Sequence, residues 1–229
     1  MKRILLMFTI LAALTATLLT GCGTQTAEEP AAETPVAEEA AAPAVEAPTA
    51  ENPIVIDAEN KQVLVYAEVN RKFVTEPTRH GVVTAEGSNG DKSIFRAGGN
   101  ALEFNKALFE IGGTAGENVK KDSPAGTVVE GDGLNITVAW DDKEYPINDL
   151  VVSTGKEGGK ALEPRFGGNY DFQSEAKTGC LFCLDSCAAG ITSSAATGWQ
   201  AFANGDVEFR GNGDLLPADG TPVVITFAL

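Results

Sequence analysis

Apolar and polar positions alternate most regularly in two stretches. In residues 61–69, Val63, Val65, Ala67 and Val69 fall on one side and Leu64, Tyr66 and Glu68 on the other. That period of two predicts a strand buried on one face and partly covered on the second. Leu134, Ile136, Val138 and Trp140 alternate with Asn135, Thr137 and Ala139 and predict the clearest half-buried strand of the chain. Shorter apolar runs at 54–57, 82–83, 93–96, 150–153, 207–210 and 223–227 predict further strands. Gly87-Ser88-Asn89-Gly90 and Asp141-Asp142-Lys143 have the residue types of tight turns.

The period changes once. Phe104, Ala107, Leu108 and Ile111 form a stripe at helical spacing, with Asn100 at the capping position, Glu103 at the capping-box position and Gly112-Gly113 as the stop. A helix over about 101–111, packed on a sheet, follows. The fold class expected is α+β: a mostly antiparallel β domain with at least one long helix. The glycines and short strands also permit a sandwich or an open barrel.

Before residue 54 the pattern is of another kind. Lys2 and Arg3 precede an apolar run over 4–19, of signal-peptide length. It ends in Leu19-Thr20-Gly21-Cys22, which resembles the lipobox of bacterial lipoproteins. That resemblance implies a lipoprotein signal peptide over 1–21, cleavage before Cys22, and an acyl-modified Cys22 holding the chain to a membrane. Each buried methylene of such a chain adds about 0.8 kcal/mol. Residues 22–53 are Ala-, Glu-, Pro- and Thr-rich with no basic residue, a composition that predicts a disordered tether. Residues 54–229 are then the domain, on the extracytoplasmic face of the cell envelope.

Charge narrows the partners. The chain carries 32 acids against 17 bases, and the excess persists in the domain once the tether glutamates are set aside. Nucleic acid is thereby excluded as a partner, because it demands a basic footprint. No glycine pair has nucleotide-binding spacing. Asp141-Asp142 and the scattered serines lack catalytic partners, so the domain is not expected to be an enzyme by itself.

The chemistry-bearing stretch is Gly179-Cys180-Leu181-Phe182-Cys183-Leu184-Asp185-Ser186-Cys187-Ala188. With Cys22 lipidated, three thiols remain, an odd number in a compartment where thiols pair. Glycines at 179 and 190 let the flanking backbone approach closely or turn sharply. His80, the one histidine in the chain, stands in a polar Arg79-His80-Gly81 sequence.

Several segments together resemble one family. They are Thr78-Arg79-His80-Gly81, Gly87 to Gly90, Ile111-Gly112-Gly113-Thr114 with Gly116-Glu117-Asn118, Arg165-Phe166-Gly167-Gly168-Asn169, and the cysteine stretch. The chain is similar in these to the YdjY-like bacterial envelope proteins across nearly all of residues 54–229. That resemblance implies a ferredoxin-type iron-sulfur centre on the cysteine stretch, although Ala188 stands where a ferredoxin-like ending has proline.

Three chemistries suit these thiols. A four-iron cluster needs a fourth ligand from His80, Asp185, solvent or substrate. Lys2-Arg3 is not a twin-arginine signal, which predicts export unfolded, without a cluster made inside the cell. A single soft ion, zinc or copper, suits Cys180, Cys183 and Cys187 with His80. A disulfide with one spare thiol is the third, with Arg79, Arg165 or Lys177 able to favour a thiolate if near. The function expected is a three-cysteine metal or redox centre in electron transfer, or as accessory to a membrane redox protein. Arg79 and Arg165 are expected around it. The alternative is a non-catalytic binding domain whose cysteines form a structural disulfide plus one free thiol.

Overall fold

The computed structural model describes residues 45–229. The segment expected as signal peptide, Cys22 and the segment expected as tether up to residue 44 lie outside the described residues. The last part of the segment expected as tether, 45–53, lies on the domain: Pro48 is buried, and Tyr66 N donates to Pro53 O at 2.8 Å.

The chain runs β1 (Ile54–Asp57), β2 (Gln62–Val69), α1 (Lys72–Thr75), β3 (His80–Thr84), β4 (Ser93–Ala97) and α2 (Ala101–Glu110). It continues through β5 (Asn135–Trp140), β6 (Lys143–Pro146), α3 (Ile147–Leu150), β7 (Val151–Thr154), β8 (Pro164–Phe166) and α4 (Tyr170–Ala176). It closes with β9 (Cys180–Cys183), β10 (Thr192–Ser194), β11 (Glu208–Gly211) and β12 (Pro222–Ala228). A 10-stranded sheet has the order β6-β5-β12-β2-β4-β3-β9-β10-β8 with β1 beside β2, and β11-β7 form a separate pair.

The alternating stretches build the centre of this sheet. Ile225 of β12 stands between Val138 and Val65, and Phe227 between Ile136 and Val63. All six are at most 1% exposed. β2 is buried at every second residue and half-buried between, as its alternation predicts. The β5-β6 turn places Asp141 and Asp142 at φ 49° and 57°, the geometry of a two-residue hairpin turn.

α2 lies where its pattern predicts. Asn100 Oδ1 accepts from Leu102 N at 2.8 Å, which satisfies one of the free amides of the first turn. Phe104, Ala107, Leu108 and Ile111 are buried, and the Phe104 ring meets Phe227 edge-on at 4.7 Å. One expectation needs correction. The helix has 10 residues and is not long, because Gly112, at φ 96°, ends it after three turns. The sheet is mostly antiparallel, as expected, with two parallel pairs, β3-β4 and β9-β10. β3 and β10 flank the cysteine stretch.

Candidate metal centre

β9 is the cysteine stretch itself, lodged between β3 and β10 and buried at all four residues. Strict alternation would send Cys180 and Cys183 to opposite faces of the sheet. The register prevents it. His80 stands opposite Cys183, Val82 opposite Phe182 and Val83 opposite Cys180, with an irregularity on each side of Val82. Such bulges re-aim side chains. Leu181, Phe182 and Leu184 join the main core, while Cys180 and Cys183 pack with Val83 and Cys187 in a second buried cluster flanked by Ala189 and Trp199. Gly81 makes the approach possible: a Cβ there would stand 2.8 Å from Phe182 Cδ1 and 3.0 Å from Leu184 Cδ2.

The same irregularity carries His80 to the sulfurs. Its Nδ1 is 3.5 Å from Cys180 Sγ, and the ligand atoms of His80, Cys180 and Cys183 all lie within 4.8 Å of one another. These three residues lie close enough to hold a metal. Zinc bonded tetrahedrally to sulfur and nitrogen separates the two by about 3.6 Å, so the donor set fits a single soft ion. Asn89 Nδ2 donates to Cys180 Sγ at 3.6 Å.

Cys187 sits on the connection 184–191, which joins two parallel neighbouring strands. Such crossovers usually need about a dozen residues or more, and this one stays tight by remaining inside the protein. Leu184, Asp185, Ser186, Cys187 and Ala188 are all buried. Buried backbone must find partners, and it finds them here. Leu184 N donates to Arg79 O at 2.8 Å, Ser186 N to Thr197 O at 3.0 Å, and Ile191 N to Cys180 O at 3.1 Å. Asn169 Nδ2 donates to Cys187 O and Gly190 O, each at 2.9 Å, and Gln173 Nε2 to Ala189 O. A Cβ on Gly190 would stand 2.5 Å from Thr192 O and 3.0 Å from Cys183 Sγ.

One ion pair lies inside this turn. Arg79 Nε and Nη2 donate to Asp185 Oδ1 and Oδ2 at 2.9 and 2.8 Å, and Asp185 is fully buried. The guanidinium lies 5.2 Å over the Trp199 ring. Burial, the largest influence, raises the Asp185 carboxyl above its ordinary range, and Arg79 offsets part of that. Burial opposes the charge on Arg79 too, but Cys187, Asp185 and Cys183 together hold its pKa above the usual value. The pair is therefore confined, with both Asp185 carboxyl oxygens committed to Arg79 instead of to a metal.

The thiols differ from one another. Cys180 is held well below the ordinary thiol range by its interaction with Cys183 and then, against burial, by His80. Cys187 is lowered by Cys183 and, against burial, by Arg79. Cys183, between the two, is pushed well above by Cys180 and Cys187, with burial adding to both. All three are free cysteines, with no disulfide between any two of them.

The structure thus brings together His80, Cys180 and Cys183, with Cys187 beside Cys183 and Arg79 beside Cys187. Cys187 is not part of the group within 4.8 Å. Arg165 lies on β8, its Nη1 donating to Gly131 O at 3.4 Å, and Lys177 is exposed at the end of α4. Sequence reasoning missed Asn169, Gln173 and Trp199 as supports of the turn. Only the Gly168-Asn169 pair carried a signal, that of a left-handed backbone, and both residues have positive φ.

The YdjY domain model matches residues 54–228 of this chain. The chain is 43% identical over 180 residues to the Escherichia coli (strain K12) protein named Uncharacterized protein YdjY, which covers 77% of this chain and 79% of that protein. No solved structure matches.

Proposed function

The chain belongs to the YdjY domain family, and for this member we propose a metal-centre protein that holds one soft ion, zinc or cuprous copper, on His80, Cys180 and Cys183. The observation that carries this reading is the convergence of one imidazole nitrogen and two sulfurs within 4.8 Å. Three protein ligands leave a coordination position for solvent or a partner's ligand. Thiolate and imidazole together select zinc and copper over harder ions. An iron-sulfur cluster would interpose its own irons and sulfides between the cysteines, whereas ligand atoms within 4.8 Å of one another suit a single ion.

Copper in such a site supplies one-electron transfer, and zinc supplies Lewis acidity or a fixed loop. The protein's own part is to hold the ligands. The bulge at Val82 sets the two cysteines on one side, Asn89 contacts Cys180 Sγ, and the Arg79–Asp185 pair fixes the turn that follows Cys183. His80 is half-buried while both cysteines are fully buried, so the imidazole is the ligand facing outward.

We further propose that Cys22 is acylated and holds the domain to the extracytoplasmic face of a membrane, where it serves a membrane redox protein as accessory. Leu19-Thr20-Gly21-Cys22 and the acidic tether support this. No helix of the described residues is long and apolar enough to cross a membrane. Radiolabelled fatty acid incorporated into the wild-type chain and absent from Cys22→Ala is the expected result; equal labelling would contradict it.

The ion is tested by titrating the metal-free full chain with cobalt(II) under anaerobic conditions. One equivalent should bind with an intense thiolate charge-transfer band. His80→Ala should weaken binding by at least the roughly 10–100-fold typical of outer-shell changes. Unchanged affinity in both His80→Ala and Cys180→Ser would remove the site.

A further inference from the structure

Cys187 stands apart from the other two sulfurs in three respects. It lies outside the group that converges on one point. It packs against Cys183 in the same buried cluster while its Sγ accepts from Ala189 N at 3.4 Å. It is also 3% exposed where Cys180 and Cys183 are 0%. Its neighbour Ala188 lines a cavity of about 300 Å³, together with Asn169, Tyr170 and Phe172. Asn169 spans from that cavity to the turn, donating to the carbonyls of Cys187 and Gly190. The cavity thus reaches the residue next to Cys187 in sequence, while the Cys187 side chain itself packs with Cys183.

We propose that Cys183 and Cys187 form a redox couple, oxidised by a hydroperoxide to a disulfide that withdraws Cys183 from the metal-holding group. Cys187, the most accessible of the three, attacks the peroxide oxygen, so the O–O bond breaks, a sulfenic acid forms and water leaves. Cys183 sulfur then attacks the sulfenic sulfur, the S–O bond breaks and a second water leaves. Two thiols and one hydrogen peroxide give one disulfide and two waters. Sulfenic acids condense with an adjacent thiol in this way. Cys183 and Cys187 pack in one buried cluster and are joined by a turn with no helix or strand of its own, and a disulfide between them must meet the usual Cα and Cβ separations.

The couple makes metal retention depend on redox state, and only that consequence rests on the metal-centre reading. The test uses the full chain loaded with zinc under anaerobic conditions and treated with one equivalent of hydrogen peroxide. Expected are the loss of two titratable thiols, a Cys183–Cys187 linkage in peptide mapping, and zinc release to a chromogenic chelator. Cys187→Ser and Cys187→Ala should both retain zinc and release it at least tenfold more slowly. A disulfide that includes Cys180, or release from both variants at the wild-type rate, would overturn the proposal. If the chain takes up no zinc, the metal-centre reading fails by itself, and peptide mapping still decides the couple.

Discussion

Cys183 is the residue on which the site turns, because it touches both other thiols and belongs to the metal-holding trio. Replacing its sulfur by oxygen removes a soft ligand and leaves a hydroxyl in a fully buried place. Cys183→Ser is therefore expected to lose stoichiometric metal at micromolar ion concentration, as measured by equilibrium dialysis, whereas Arg165→Ala should not. Asp185 has a different kind of importance. Asp185→Asn leaves the Arg79 guanidinium, whose side chain is 17% exposed, without its counter-charge. Breaking a buried pair by removing one partner typically costs about 3–5 kcal/mol. Urea denaturation of the variant should show a loss of that order; a change under about 1 kcal/mol, the scale of an exposed pair, would mean that the pair is not confined as described.

At the scale of elements, α2 and the β2-β12-β5 centre were legible in the sequence because their signals are local. Asn100, the apolar stripe and the Gly112 stop all lie within one short window, so propensity, capping and burial agree there. Asn100→Ala should cost about 1 kcal/mol in thermal or urea unfolding while leaving metal affinity unchanged. β9 was not legible as a strand. Cys-Leu-Phe-Cys is apolar throughout, as a strand buried on both faces must be, and carries no period. Its side-chain directions depend on a bulge formed with β3, about 100 residues earlier in sequence. For the same reason Cys180, Cys183, Cys187 and His80 were named together from residue type and spacing, while the narrower trio, the commitment of Asp185 to Arg79 and the separate place of Cys187 depend on that bulge and on the buried connection 184–191. α3 and α4 are too short to show a helical period. That connection also makes its own prediction. Gly190→Ala would push a methyl group onto Thr192 O and Cys183 Sγ, an overpacking that costs roughly 1–3 kcal/mol. Metal affinity and stability should fall together, by dialysis and calorimetry on the same sample; a variant that keeps both would show that the turn has room to spare.

Taken whole, the domain joins one mixed sheet, stabilised at its centre by apolar burial, to a thiol cluster at one side that packs apart from the main core. The cluster ties β3, β9 and the turn 184–191 together, so an ion bound there stabilises the folded chain by mass action. A chelator should accordingly lower the melting temperature of the loaded protein, and metal affinity should decline as pH falls, because thiolates must be deprotonated to bind. The measurement that tests the metal centre most directly is elemental and inorganic-sulfide analysis, with an absorption spectrum, of the full chain purified anaerobically from its native envelope. Zinc or copper near one per chain, without inorganic sulfide, is the predicted result. Iron with sulfide and a broad visible absorption, or no metal at all, would contradict it.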